Sequence, residues 1–385
     1  MRVLISTIGS RGEVQPVVAL ARELAAGGHE AVVVGPPDFR GWAERLGVDY
    51  RPVGPELRGT ARRGSGPPPS EEQRRAMIAG TVDAQFEALL SVAQGCGAVV
   101  GGGALAIAAG SVAEAVGACY SYAAFAPVTL PSARHAPPAF RGVEAGTWEQ
   151  DAARWNRLWA APLNARRAAL GLAPVADVRE HLFTASPLLA ADPVLAPWPE
   201  PGGAVRQTGA WLLAEPRPLP AEVRAFLDAA EPPLFAGFGS MPEPGGAAAA
   251  LLAAARALGR RLIVSSGWSG FTVDAPDCLV VGELDLRQVF PRVAAVVHHG
   301  GAGTTTTAAA AGVPQVVLPQ MFDQFYFADR VAALGLGSSY REPPQGDSLT
   351  TALTSALDAT TRAGDVAREI RHDGARRAAE LITAS

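Results

Sequence analysis

Short apolar runs alternate along the chain with segments whose apolar residues recur every three to four positions. The first run, RVLISTI at residues 2–8, is aliphatic and β-branched and stops at Gly9, as a buried parallel strand does. Behind it, Val14, Val17, Val18, Ala21, Leu24 and Ala25 mark one helical face that Gly27 and Gly28 end, and EAVVVG reads as a second strand. The alternation restarts after residue 230 with PLFAGFGS, an alanine-rich helix, RLIVSS, CLVVG, AAVVHHGG, another alanine-rich helix and PQVVLP. Apolar strands alternating with amphipathic helices predict parallel sheets covered on both faces, an α/β architecture of two doubly wound, Rossmann-like sheets.

At 385 residues the chain exceeds what one core usually organises, which agrees with two domains. Between the two series, ADPVLAPWPEPGG crowds prolines and glycines without periodicity. The expected division is residues 1–195, a linker at 196–216, and 217–385, with the last helix free to pack back on the first domain. RGTARRGSGPPPSEE, residues 58–72, lacks apolar periodicity and is expected to be a mobile loop. Trp148, Trp155 and Trp159 recur at helical spacing and are expected in a core or an interface.

Charge and cysteine usage narrow the chemistry. A formal net charge of -4 gives no basic field for nucleic acid. Cys96, Cys119 and Cys278 are far apart and show no metal-ligand spacing, so neither a disulfide framework nor a zinc site is expected. The N-terminal residues reach Arg11 and Glu13 before an apolar signal core is complete, and a cytoplasmic location is the expectation. The uncharged runs at 95–113 and 293–322 read as strand followed by packed helix, so no stable membrane insertion is expected.

In open parallel sheets, ligands gather at the carboxyl ends of strands, where helix N-termini offer free N–H groups and a positive dipole end. AAVVHHGGAGTTTT has the pattern of strand, tight turn and helix, the helix beginning near Ala302. Gly300, Gly301 and Gly303 let the backbone approach a bulky anion, Thr304 adds a hydroxyl, and His298 or His299 adds an imidazole. A diphosphate fits that set, although a plain helix cap beside a structural histidine uses the same residues. A Walker-type loop needs a lysine, and the sequence contains none. A dinucleotide fingerprint needs three spaced glycines after the first strand, where IGSRGEVQP supplies Gly9 and Gly12 only.

The loop GSRGEVQP, the strand end GFGSM, the turn HHGGAGTT and the later pair Asp323-Gln324 occur in an order and spacing that resembles the GT-B glycosyltransferases. Specifically, the chain resembles the antibiotic glycosyltransferases of glycopeptide and polyketide pathways, with sterol glucosyltransferases as relatives. The resemblance implies two Rossmann-like domains facing across a cleft, the first holding an aglycone and the second a TDP- or UDP-sugar. It implies an inverting transfer of a hexose or deoxyhexose to an aglycone hydroxyl, with no cofactor and no metal. Carried over by motif, His298, His299, Gly301, Ala302, Gly303 and Thr304 would bind the donor diphosphate, with Ser240 reaching it from a neighbouring strand. Ser10 and Arg11 would approach the same phosphates from the first domain, Asp323 and Gln324 would hold the sugar, and Val281 would hold the nucleobase. Glu13 stands where the family commonly has an aspartate proposed as base, and it is the candidate for that role. A nucleotide-sugar epimerase or hydrolase, or a noncatalytic nucleotide-sugar-binding auxiliary, fits the same motifs.

Overall fold

The structure, a computed structural model, describes residues 1–58, 69–139, 146–200, 202–215 and 218–384. Two compact units divide the chain. Unit 1 comprises Met1–Ala191, Pro197–Leu213 and His372–Ser385, and unit 2 comprises Asp192–Ala196 and Ala214–Arg371.

In unit 1 the strands are β1 (Arg2–Thr7), β2 (Glu30–Gly35), β3 (Asp49–Pro52), β4 (Ala98–Gly102), β5 (Cys119–Ala124), β6 (Leu188–Leu189) and β7 (Arg206–Gln207). They form one sheet in the order β3-β2-β1-β4-β5-β6-β7. In unit 2 they are β8 (Leu234–Gly237), β9 (Leu262–Ser265), β10 (Cys278–Val281), β11 (Ala295–His298), β12 (Gln315–Val317) and β13 (Gly337–Ser339). Their order is β10-β9-β8-β11-β12-β13. Every pairing in both sheets is parallel.

The unbroken apolar runs follow from helices on both faces. In unit 2, Leu234, Ala236, Val264, Ala295 and Val297 join one buried cluster, while the intervening Phe235, Ile263 and Val296 join another. On the central strands β8 and β11 every residue is therefore buried whichever way it points, as the middle of a parallel sheet requires. In unit 1 the helix Arg11–Ala26 buries Val14, Val17, Val18, Ala21 and Leu24 as the sequence predicts; Ala25 lies on the exposed side.

Of the loop expected at 58–72, residues 59–68 lie outside the described residues. Its last two residues open the helix Glu71–Ala93, because Ser70 and Gln73 form a capping box there. This is the one helix among the described residues with the length and hydropathy of a membrane span, yet Val82, Phe86, Leu89 and Ala93 on it belong to the unit 1 core. Trp159 is buried in the same core with Trp155 stacked on it, ring centroids 5.9 Å apart.

The chain passes between units at four places, and two of them converge on one carboxylate. Asp192, 1% exposed, accepts N–H bonds from Val194 at 2.8 Å, Leu195 at 3.1 Å and Arg371 at 2.8 Å, all within unit 2. Beyond Arg371, Gly374 opens the last helix of unit 1, where a Cβ would lie 2.4 Å from the Gly209 carbonyl oxygen. Removing the Asp192 carboxylate takes the acceptor from the buried Leu195 N–H, a loss that typically costs about 1–3 kcal/mol, and from the part-buried N–H groups of Val194 and Arg371. Asp192→Ala should therefore lower the urea midpoint of unfolding with little change in its slope. An unchanged midpoint would show that the carboxylate is dispensable.

Candidate functional site

Strand order reverses beside β1 in unit 1 and beside β8 and β11 in unit 2. At such a switch point the connections leave in opposite directions and open a crevice at the strand ends. Glu13 and Ser10 lie there in unit 1 and Ser240 and the turn from His298 to Thr304 in unit 2, whereas Asp323 and Gln324 follow β12 and Val281 ends the edge strand β10.

In unit 1, Ser10 caps the helix Arg11–Ala26, its hydroxyl oxygen accepting the Gly12 N–H. The same hydroxyl donates to Glu13 Oε2 at 2.9 Å. The carboxyl group folds under Gly9, where φ is +154° and a Cβ would lie 2.6 Å from Glu13 Oε2. A Cβ on Gly103, at the end of β4, would lie 3.4 Å from Glu13 Cγ and 3.5 Å from Phe125. Burial pushes the Glu13 carboxyl above its ordinary value, and the Ser10 hydrogen bond opposes that shift. A carboxylate made more basic and held in one position suits proton abstraction. Arg11, expected to reach toward phosphate, lies over the Trp42 ring at 4.5 Å in unit 1.

In unit 2, β11 delivers His298 and His299 to different surroundings, because successive strand residues point to opposite faces. His298 is wholly buried, and its Nε2 meets Gln315 Oε1 at 2.9 Å while its Nδ1 accepts the Gly300 N–H at 3.1 Å. Burial, together with the neighbouring His299, holds its pKa down to about 3. His299 is half-buried, and its imidazole sits between two glycines. A Cβ on Gly301 would lie 2.6 Å from its Nε2, and one on Gly239 would lie 3.3 Å from its Cε1. Burial lowers the His299 pKa to about 4, with the Gly237 backbone opposing. The ring is thus a neutral donor beside the start of the helix Ala302–Ala310, which Gly301 caps without a side chain.

The first turn of that helix presents the N–H groups of Ala302, Gly303 and Thr304, which have no partner within a helix. The threonine run has a local reason. Thr305, Thr306 and Thr307 donate their hydroxyls to the carbonyls of Gly301, Ala302 and Gly303, satisfying them in a buried helix. Thr304, half-buried, makes no such bond among the described residues and keeps its hydroxyl for the turn.

Asp323 and Gln324 divide in function. Asp323 is half-buried at the N-cap of the helix Gln324–Ala333. Gln324 is 6% exposed, and its Oε1 accepts N–H bonds from Gln320 at 2.8 Å and Met321 at 3.1 Å. The Gln324 amide nitrogen takes no part in those two bonds. Between Met321 and Asp323, Phe322 holds a φ of +51° and is 41% exposed. A non-glycine residue there stores strain of the kind that gathers at binding loops. Ser240 lies just beyond β8, half-buried, in the turn whose Gly239 flanks His299. Val281 ends β10 with its carbonyl already accepting the Ser266 N–H at 2.9 Å. Three strand spacings, roughly 14 Å, separate β10 from β11.

Unit 1 also holds a cavity of about 440 Å³ walled by Leu130, Trp148, Phe183 and Trp198, with Arg179 and Glu200 on its lining. The Trp198 indole nitrogen is buried and has no hydrogen-bond partner among the described residues. Such a space suits an aromatic group carrying an acceptor oxygen. Sequence reasoning missed the cavity, Gln315 and the Gln324 loop bonds. No local pattern announces a side chain that meets its partner across a strand.

Residues 3–134 match the glycosyltransferase family 28 N-terminal domain, and residues 250–380 match the erythromycin biosynthesis protein CIII-like C-terminal domain. The vancomycin aglycone glucosyltransferase of Amycolatopsis orientalis is 43% identical over 99% of this chain and 97% of its own length. The dTDP-epi-vancosaminyltransferase of the same organism is 41% identical over 94% of this chain and 91% of its own length. Among solved structures, the spinosyn forosaminyltransferase SpnP superposes with a TM-score of 0.71 at 19% identity, covering 100% of this chain and 99% of that one.

The buried His298 gives a pH prediction. Its pKa is about 3 when folded against 6.5 ordinarily, so between these values the unfolded chain binds the extra proton. Its contribution is present above pH 6.5 and is lost on acidification, by about 1.4 kcal/mol per pH unit. The stability advantage of wild type over His298→Asn should therefore shrink between pH 6 and pH 4. A constant advantage across that range, in denaturant titrations, would mean that the imidazole titrates normally.

Proposed function

This chain belongs to the GT-B glycosyltransferase family that includes the glycopeptide-antibiotic glycosyltransferases, and from that premise we propose that it transfers a hexose or deoxyhexose, with inversion, from a TDP- or UDP-sugar to a hydroxyl of a natural-product aglycone. The observation that carries the reaction is Glu13, a half-buried carboxylate held by Ser10 at the unit 1 switch point and made more basic by desolvation. The acceptor oxygen attacks the anomeric carbon and passes its proton to Glu13. The bond from that carbon to the diphosphate breaks, and its electron pair leaves on the diphosphate oxygen. One carbon–oxygen bond forms as another breaks on the opposite side, so the configuration inverts.

Negative charge growing on the leaving diphosphate would meet His299, the Thr304 hydroxyl and the first N–H groups of the helix Ala302–Ala310. These donors are placed before the reaction, so they stabilise the transition state without reorganising. They supply the positive potential for which other transferases use a metal. Among the described residues, no three His, Cys, Asp or Glu side chains gather as metal ligands would. Asp323 and the amide of Gln324 serve the sugar, Ser240 the phosphates, and the strand end at Val281 the base. Ser10 acts through Glu13 as a positioning residue. The aromatic-walled cavity of unit 1 is the space assigned to the aglycone.

Thymidine is preferred over uridine because one relative is named for a dTDP-linked sugar. Calorimetric titration should then find TDP bound more tightly than UDP, and the reverse order would reassign the donor. For the base, Glu13→Gln should lower kcat by about 10² to 10⁴ on an alcohol acceptor while donor affinity hardly changes. Glu13→Asp should recover part of the rate. A loss of less than about tenfold in Glu13→Gln, with chemistry rate-limiting in single turnovers, would move the base elsewhere.

A further inference from the structure

We propose that His298 never touches the donor and instead belongs to a buried brace, Gln315–His298–Gly300–Gln324, that fixes the distance between the diphosphate turn and the sugar loop of unit 2. The inference rests on the donor reading above and assigns roles that reading leaves open.

His298 and Val296 share a face of β11, and the register pairs Val296 with Gln315 and His298 with Val317. Gln315 is therefore the diagonal neighbour of His298 on the same face. Both are wholly buried, on the face of the sheet that carries the apolar Phe235, Ile263 and Val296. The Gly300 N–H donates to Nδ1, and a nitrogen that accepts carries no proton. The proton must lie on Nε2, which donates to Gln315 Oε1. One backbone amide thus sets the tautomer, and the neutral ring sets the path of the chain into Gly301 and the helix Ala302–Ala310.

The same glycine presses on the sugar loop. Gly300 has φ of +90°, and a Cβ there would lie 2.7 Å from Val317 Cγ1 and 2.9 Å from the Gln324 carbonyl oxygen. Gln324 in turn fixes Gln320 and Met321 through its Oε1. Hydrogen bonds therefore link Gln315 through His298 to Gly300, and the close approach of Gly300 to the Gln324 backbone, which leaves no room for a Cβ, sets the loop that carries Asp323 beside them. One end aims N–H groups at a diphosphate, the other aims polar groups at a sugar, and the brace holds them at a single spacing. Misplacement of about 1 Å in such a spacing is worth on the order of a hundredfold in rate.

Asparagine offers an oxygen near the place of Nδ1 and nothing near Nε2. His298→Asn should keep TDP affinity within about threefold, while His298→Leu, which strands the Gly300 amide, should weaken it about tenfold. Gln324→Leu should leave TDP affinity unchanged and lower kcat for a TDP-sugar about tenfold, a split that a general loss of stability would not produce. On the wild-type protein, ¹⁵N NMR should find His298 as the neutral Nε2–H tautomer with and without TDP, while the His299 signals shift on binding. The NMR arm stands even if a variant fails to fold. His298 signals that move with TDP as His299 does, equal losses of TDP affinity in His298→Asn and His298→Leu, or a Gln324→Leu that weakens TDP binding would each overturn the brace. Wild type that binds neither TDP nor UDP would overturn the donor reading first, and the brace with it.

Discussion

The hydrogen bond from the Gly300 amide to the buried Nδ1 of His298 constrains the rest of unit 2. A histidine at the end of a strand buried on both faces is costly unless both ring nitrogens are bonded. Gln315 and Gly300 provide those bonds, and Gly300 then needs a left-handed backbone with no side chain. From that turn the chain enters a helix whose first N–H groups point outward at the strand ends. The proposed anion site and the folded core are in this sense one structure. His299, a single residue further on, faces the opposite way and reaches the slot between Gly239 and Gly301.

Unit 1 solves a related problem with a carboxylate. Its first helix begins immediately after β1, so the residue at its third position lies over the end of the sheet. Glu13 is drawn inward, its carboxyl filling the space that glycine leaves at position 9, with the Ser10 hydroxyl as partner. The extra methylene relative to aspartate is accommodated by this fold-back. Desolvation then makes the group more basic, which is the property a proton acceptor needs.

Much of this was legible in the sequence because it is local. The strand that stops before Gly9, the helix start at Ala302 and the α/β class follow from short runs of residues and their periodicity. What was not legible depends on partners distant along the chain. Arg11 lies on Trp42, His298 bonds Gln315, and the two-residue strands β6 and β7 exist only by pairing beside β5. Asp192, in a proline-rich stretch without periodicity, ties itself to Arg371 across 179 positions. Composition cannot signal such a bond, since neither residue is unusual where it stands.

The two units together amount to one chemical claim, that a sugar leaves a nucleoside diphosphate for an alcohol oxygen with inversion at the anomeric carbon. The most direct measurement is the product itself. Incubation with an α-linked TDP-hexose and a hydroxyl-bearing aglycone, followed by proton NMR of the purified conjugate, reads the anomeric configuration from its coupling constant. The account predicts a β-glycoside, formed together with TDP. An α-glycoside, or free sugar with the aglycone unchanged, would contradict it.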